Sequence, residues 1–231
     1  MLYTSEKSFV ETKKIKGGKK FIEKKYDSFI DWLGKVYEKP INIFCDTFTS
    51  NNILFSRIEI ILEYEKDLFK YKIDHMNQYN IGGNLKKKII TQFNQLVDEP
   101  IFKEFYEDKE YNFLKNTVLN ISTFETIAKI ETIEKITQKE IDQLFKDINN
   151  FDLWTIKRLL SFTTFFVYTE KQLNKYRKDS KTLKEWNDKY LKIVKKYDKY
   201  NYFNKSYLII LDSKENFDKN YDSNWYYYYR N

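Results

Sequence analysis

The chain has 231 residues with a formal net charge of +7; 42% are hydrophobic and 19% aromatic, and there are only 5 glycines and 2 prolines. That composition excludes a disordered, linker-rich or loop-heavy all-β chain and supplies the material of a sizeable core. The 37 lysines stand beside 4 arginines, one histidine (His75), one cysteine (Cys45) and one alanine (Ala128), so a disulfide within the chain is excluded and thiol or imidazole catalysis has one residue of each kind to draw on. Lys, Asn, Ile, Tyr and Phe are residues that A/T-rich codons encode, so part of the bias belongs to the genome rather than to function.

The first residues, MLYTSEKSFVETKK, hold no apolar stretch of signal-peptide length, and the expected location is cytoplasmic. Leu2 to Thr4 and Phe9 to Glu11 read as short extended pieces able to pair with the C-terminal tail. After Gly17-Gly18, the residues Phe21, Ile22, Tyr26, Phe29, Ile30, Leu33, Val36 and Tyr37 recur at the spacing of one helical face, and Pro40 stops the helix. Ile41 to Cys45 leans towards strand, and Thr47 to Asn52 reads as a turn capping a following helix. From Ile53 to Ile73 the apolar spacing predicts that helix, with a buried strand over Ile58 to Leu62 as the alternative.

Gly82-Gly83 opens a third helix through Leu85, Ile89, Phe93, Leu96 and Val97, ending near Pro100. Phe102, Phe105, Phe113 and Leu114 suggest another. Thr123 to Ile136 reads as helix, and Thr137-Gln138-Lys139-Glu140 has the form of a capping box ahead of Ile141, Leu144, Phe145 and Ile148. Asp152 is placed as the N-cap of a buried segment running through Leu159, Phe162 and Phe166 towards Tyr176. Lys181 to Tyr200 is the best-defined helix, with Leu183, Trp186, Tyr190, Ile193, Val194, Tyr197 and Tyr200 on one face and Lys184, Lys189, Lys192, Lys195, Lys196 and Lys199 on the other. Tyr207 to Leu211 and Trp225 to Tyr229 (WYYYY) read as two strands around a turn-rich connection.

These elements predict a mainly α, α+β fold. It is a single multi-helix domain over 1–231, with a helical body over about 19–200 and a small C-terminal β hairpin or sheet over about 206–230. No repeat of 20 to 50 residues is visible. The longest apolar run, Leu159 to Tyr168, spans about 10 residues and falls well short of the roughly 20 that cross a bilayer, so no membrane is expected as a partner.

Charge is segregated. Residues 1–40 carry 10 lysines against 6 acids and residues 153–205 carry 14 basic residues against 5 acids, whereas residues 98–152 carry 13 acids against 7 lysines. A lysine-dominated surface suits loose electrostatic attraction more than the bidentate readout that arginine provides.

Catalytic and ligand-binding patterns are thin. Cys45 and His75 match no nucleophile–base spacing, and one of each cannot hold a tetrahedral zinc, so neither a metal nor a cofactor is expected. Glu59 with Glu63, and Glu104 with Glu107 and Asp108, could bring carboxylates together on a helix, but read as solvated helix faces. Asp212-Ser213-Lys214 resembles half of a metal-dependent nuclease site without its second acid. Gly82-Gly83-Asn84 lacks the spacing of a phosphate loop.

What remains is surface. On a strand, Trp225, Tyr227 and Tyr229 would share one side and Tyr226 and Tyr228 the other, an aromatic edge suited to an interface. The expectation is a non-enzymatic, cytoplasmic protein-binding accessory factor of inhibitor or immunity type, which acts by occlusion through Trp225, Tyr227, Tyr229 and the lysines Lys192, Lys195, Lys196 and Lys199. The alternative is a sequence-nonspecific nucleic-acid-binding protein using the same lysines, and a more remote one a carboxylate-dependent hydrolase or nuclease.

Overall fold

The computed structural model describes residues 4–71, 81, 83–97, 116–203 and 208–230. The fold is α+β, with helices accompanying two three-stranded sheets, and the chain forms two compact units, Met1–Ile127 and Ala128–Asn231. The helix anticipated around Phe102 to Leu114 lies outside the described residues.

In the first unit, α1 (Lys7–Lys16) and a 3-10 turn (Lys24–Tyr26) lead into α2 (Asp27–Val36). Strands β1 (Asn42–Ser50) and β2 (Ile53–Leu62) form an antiparallel hairpin, and β3 (Thr117–Thr123) adds to β2 in parallel. Between β2 and β3 come a 3-10 helix (Glu65–Tyr71) and α3 (Gly83–Leu96). One face of the sheet (Ile43, Ile58, Ile60, Leu62, Leu119, Ile121) forms a core with Phe29, Ile30 and Leu33 of α2 and Ile89, Ile90 and Phe93 of α3.

Two expectations are corrected here. Residues 53–62 are strand, not helix: Ile58, Ile60 and Leu62 satisfy the period of two as well as Ile58, Ile61 and Leu62 satisfy the helical spacing, and β-branched density tips the balance. The turn Asn51-Asn52 has φ of 50° and 61°, the left-handed pair that closes a two-residue hairpin and that asparagine tolerates. Phe9 lies on helix α1, where it is buried against Phe124 with ring centroids 5.0 Å apart, rather than on an extended piece joined to the tail.

The second unit takes in most of α4 (Phe124–Lys135), then α5 (Gln138–Ile148). The capping box is present: Glu140 N–H donates to Thr137 Oγ1 (3.3 Å) and Thr137 N–H donates to Glu140 Oε2 (3.0 Å). Strands β4 (Leu153–Leu159) and β5 (Phe162–Val167) make an antiparallel hairpin, α6 (Glu170–Lys178) and α7 (Ser180–Val194) follow, and β6 (Ile209–Ser213) joins β5 in parallel. Helices α8 (Lys214–Tyr221) and α9 (Trp225–Arg230) close the described chain.

The buried segment after Asp152 is therefore a hairpin and then a helix, not one long element. Thr169 ends the strand and caps α6 through its own capping box with Gln172. Helix α7 keeps its predicted faces: Trp186, Tyr190 and Val194 are buried, with Trp186 near Phe165 (6.0 Å) and Tyr176 (4.9 Å). It stops at Val194 rather than Tyr200.

The WYYYY segment is helix α9, not a strand. Asp222 and Ser223, at φ of 51° and 53°, turn the chain, and Asn224 Oδ1 accepts from Tyr226 N–H at 2.9 Å in the first turn. At helical spacing Trp225, Tyr228 and Tyr229 share one face, and packing there overrides the β preference of aromatics. Trp225 stacks on Phe217 (4.1 Å) and meets Phe166 edge-on (5.3 Å). The α+β class thus stands, with β6 as the C-terminal strand of a sheet.

Candidate protein-docking surface

Among the described residues, those with catalytic potential are occupied or apart. Cys45 lies half-buried on β1 at the rim of the first core. His75, Asp74, Glu104, Glu107 and Asp108 lie outside the described residues. Glu63 pairs with Lys16 (2.7 Å), and Asp67 accepts from the Tyr64 N–H (3.1 Å). Asp212 accepts from Tyr228 Oη (2.6 Å) and from Asn216 Nδ2 (2.9 Å), which fixes α8 and α9 rather than presenting a ligand set. Among the described residues no three His, Cys, Asp or Glu side chains gather closely enough to hold a metal ion.

Glu59 is the one acid among the described residues that is completely buried. It sits on the sheet face opposite the core, beneath α1, in a polar layer where Asn42 Nδ2 donates to Thr12 Oγ1 (2.9 Å) and Thr12 Oγ1 donates to Ser8 O (2.7 Å). Glu59 Oε1 accepts from Ser122 Oγ (3.0 Å), the Ser8 hydroxyl lies near the carboxylate, and Oε2 and Asn120 Oδ1 have no partner at hydrogen-bond distance. Burial pushes its carboxyl above the usual range, opposed by the Ser8 and Ser122 hydroxyls and by Arg57, which is itself held by Asp46 (2.6 and 2.8 Å). Sealed under a helix, Glu59 has a protonation chemistry without access to a substrate.

The lysine row of α7 is only partly available. Lys184 pairs with Asp188 (3.3 Å), Lys189 with Glu185 (2.9 Å) and Lys196 with Glu140 (3.1 Å), while Lys199 lies over the Tyr200 ring (5.4 Å). Lys192 and Lys195 are exposed and make no ion pair among the described residues. In α9, Trp225 and Tyr229 turn inward, and Tyr226 and Tyr227 are exposed.

A feature without a sequence signal stands out on the second sheet. The β4–β5 turn is Leu160-Ser161, and Leu160 has φ of 53°, a left-handed conformation that costs a leucine about 1 kcal/mol or more and that glycine or asparagine would adopt freely. The turn is flanked by Leu159 and Phe162, which pair across the hairpin. Strand alternation places Ile210 of the edge strand β6 on the same face, since it pairs with Thr164. Leu159, Phe162 and Ile210 are 37%, 58% and 46% exposed on that face, Ile210 one step along the ladder from the Leu159–Phe162 pair. Lys157, exposed on the same face, lies over the Trp225 ring (5.2 Å). Leu160 lines a cleft of about 280 Å³ with Ile133 and Ile156.

A second apolar depression of about 380 Å³ lies among Phe145, Phe151 and Tyr168, with Phe151 95% exposed. No described helix is long and apolar enough to cross a membrane. Comparison with protein families, with curated proteins and with solved structures finds no match to this chain.

Proposed function

We propose that the chain is a non-enzymatic protein-binding accessory factor of inhibitor or immunity type, which works by covering a partner's surface. The observation that carries this reading is the β4–β5 hairpin, where an apolar patch is exposed beside a leucine in a strained turn. A turn selected for folding alone would hold glycine or asparagine, as Asn51-Asn52 does in the first hairpin; strain retained at an exposed apolar tip is a mark of binding function. The partner that fits is a protein with an apolar recess for Phe162 and carboxylates at its rim for Lys157. Lys192 and Lys195 add attraction that speeds encounter without fixing sequence or register.

The test uses the full chain as bait in nuclease-treated extract of its native cell. A stoichiometric protein partner retained by the wild type and lost by the double variant Leu159→Ser/Phe162→Ser, with circular dichroism unchanged, is the expected result. Protein recovery that appears only when the nuclease is left out, or equal recovery with both forms, contradicts the proposal. A nucleic-acid reading draws on the exposed Lys192 and Lys195; it requires binding that falls steeply with salt and weakens in Lys192→Glu/Lys195→Glu.

A further inference from the structure

We infer that the chain is a tandem duplication of one module, a helix, a β hairpin, a helical crossover, a third strand parallel to the second, and a helix that starts at once. The second hairpin strand is central in both sheets, with orders β1-β2-β3 and β4-β5-β6. Topology alone would be weak ground, since hairpins with a parallel third strand are common. The register supplies more.

Ile60 on β2 pairs with Ile43 on one side and Ile121 on the other; Phe165 on β5 pairs with Ile156 and Leu211. Leu62 pairs with Thr123, and Val167 with Ser213, each as the last pair of its parallel ladder. With these pairs matched, Ile43, Ile60, Leu62, Leu119 and Ile121 correspond to Ile156, Phe165, Val167, Ile209 and Leu211. Every member of both sets packs into the core of its own unit. The preceding helices, α2 and α5, pack on that same side of their sheets.

At the junction between third strand and helix two main-chain contacts recur at matched positions, and a third recurs in kind, its hydroxyl coming from Thr126 in one unit and from Ser213, the counterpart of Thr123, in the other. In the first unit Glu125 N–H donates to Glu63 O (3.1 Å), Glu65 N–H donates to Glu125 Oε2 (2.9 Å), and Glu65 Oε1 accepts from Thr126 Oγ1 (2.9 Å). In the second, Glu215 N–H donates to Tyr168 O (3.1 Å), Glu170 N–H donates to Glu215 Oε2 (3.0 Å), and Glu170 Oε1 accepts from Ser213 Oγ. Each glutamate that opens the last helix thus fastens the chain leaving the central strand, and the glutamate three residues beyond the strand returns the contact to a hydroxyl of the junction. Counted from the matched pairs, Glu65 falls where Glu170 does and Glu125 where Glu215 does.

A fold needs the strand order; it does not need the same carboxylate on the same amide twice. Identity between the copies has been lost, as with Asn120 against Ile210, while the geometry remains. The hairpin turns also differ, Asn51-Asn52 in one copy and Leu160-Ser161 in the other. That places the strained, apolar tip in the second copy as a departure from the plan of the first.

Amide hydrogen exchange on the full chain tests the inference. Glu125→Gln weakens a charge-assisted bond, so exchange at the Glu65 amide and along the β2–β3 ladder should rise roughly tenfold. Glu215→Gln should do the same at the Glu170 amide and along β5–β6, within about a factor of three. If one variant responds and the other does not, or if the affected amides fall at unmatched positions, the equivalence is overturned. Should a variant fail to fold, wild-type exchange decides: comparable protection of the Glu65 and Glu170 amides supports the duplication, and protection of only one refutes it.

Discussion

Replacing Glu59 by glutamine should stabilise the protein at pH 8 and leave it nearly unchanged at pH 4.5. The wild-type side chain is fully buried on β2 with Oε1 bonded to Ser122 and Oε2 without a donor, and Asn120 Oδ1, directly across the parallel ladder, is also unpartnered. Burial raises the carboxyl above its ordinary value of 4.5, opposed by the Ser8 and Ser122 hydroxyls and Arg57, with Glu6 pushing up. A group whose folded-state pKa is raised holds its proton more tightly when folded. Stability is therefore unpenalised below about 4.5, falls as the pH rises from there to the folded-state pKa, and stays reduced above it. Glutamine keeps the acceptor for Ser122 and carries no charge to bury at any pH. Removing an orphaned buried acceptor is worth about 1–3 kcal/mol, or roughly 4–12 °C of melting temperature in a unit of this size. Thermal unfolding of both proteins between pH 4.5 and 8 measures this. Parallel curves for wild type and Glu59→Gln, or a variant less stable at pH 8, would refute the reasoning.

Other consequences are open to the same kind of measurement. Glu140 is held down at about 2 by the Thr137 amide, with Lys196 and Tyr197 assisting, so its contribution is complete above about 4.5 and lost as the pH falls towards 2; Glu140→Gln should flatten that acid limb in a denaturant titration. Thr169→Ala removes the cap of α6 and should cost about 0.5–2 kcal/mol by chemical denaturation. Leu160→Gly relieves the left-handed strain and should raise the unfolding free energy modestly, by about 1 kcal/mol or less, while weakening partner capture. Trp186→Ala, at a fully buried position between Phe165 and Tyr176, should cost about 3–5 kcal/mol and show first in near-ultraviolet circular dichroism.

Helices whose signal is local could be read from the sequence. The Thr137/Glu140 box with Ile141, Leu144 and Ile148, and the Trp186, Tyr190, Val194 face, name their own start and orientation. Strand β2 resisted because Glu59 interrupts an apolar run that is buried on both faces, and nothing nearby announces a parallel partner that begins at Thr117, some 60 residues on. Trp225 to Tyr229 misled because aromatic strand preference is a statement about packing surfaces, and here the surface is Phe217 and Phe166 facing a helix. The proposed docking patch was hidden for a different reason: Leu160-Ser161 carries no turn signal, so the hairpin that exposes Phe162 resembles an uninterrupted buried segment. The repeat was hidden because its copies match in register and in main-chain contacts rather than in residue identity.

The most direct test of docking at the second hairpin is site-specific photo-crosslinking in the native cell. A photoreactive side chain in place of Phe162 should yield one protein adduct of defined mass, while the same group in place of Phe48, on the hairpin of the first unit, yields none. Equal labelling from both positions, or none from 162 when the protein is folded and abundant, would contradict the account.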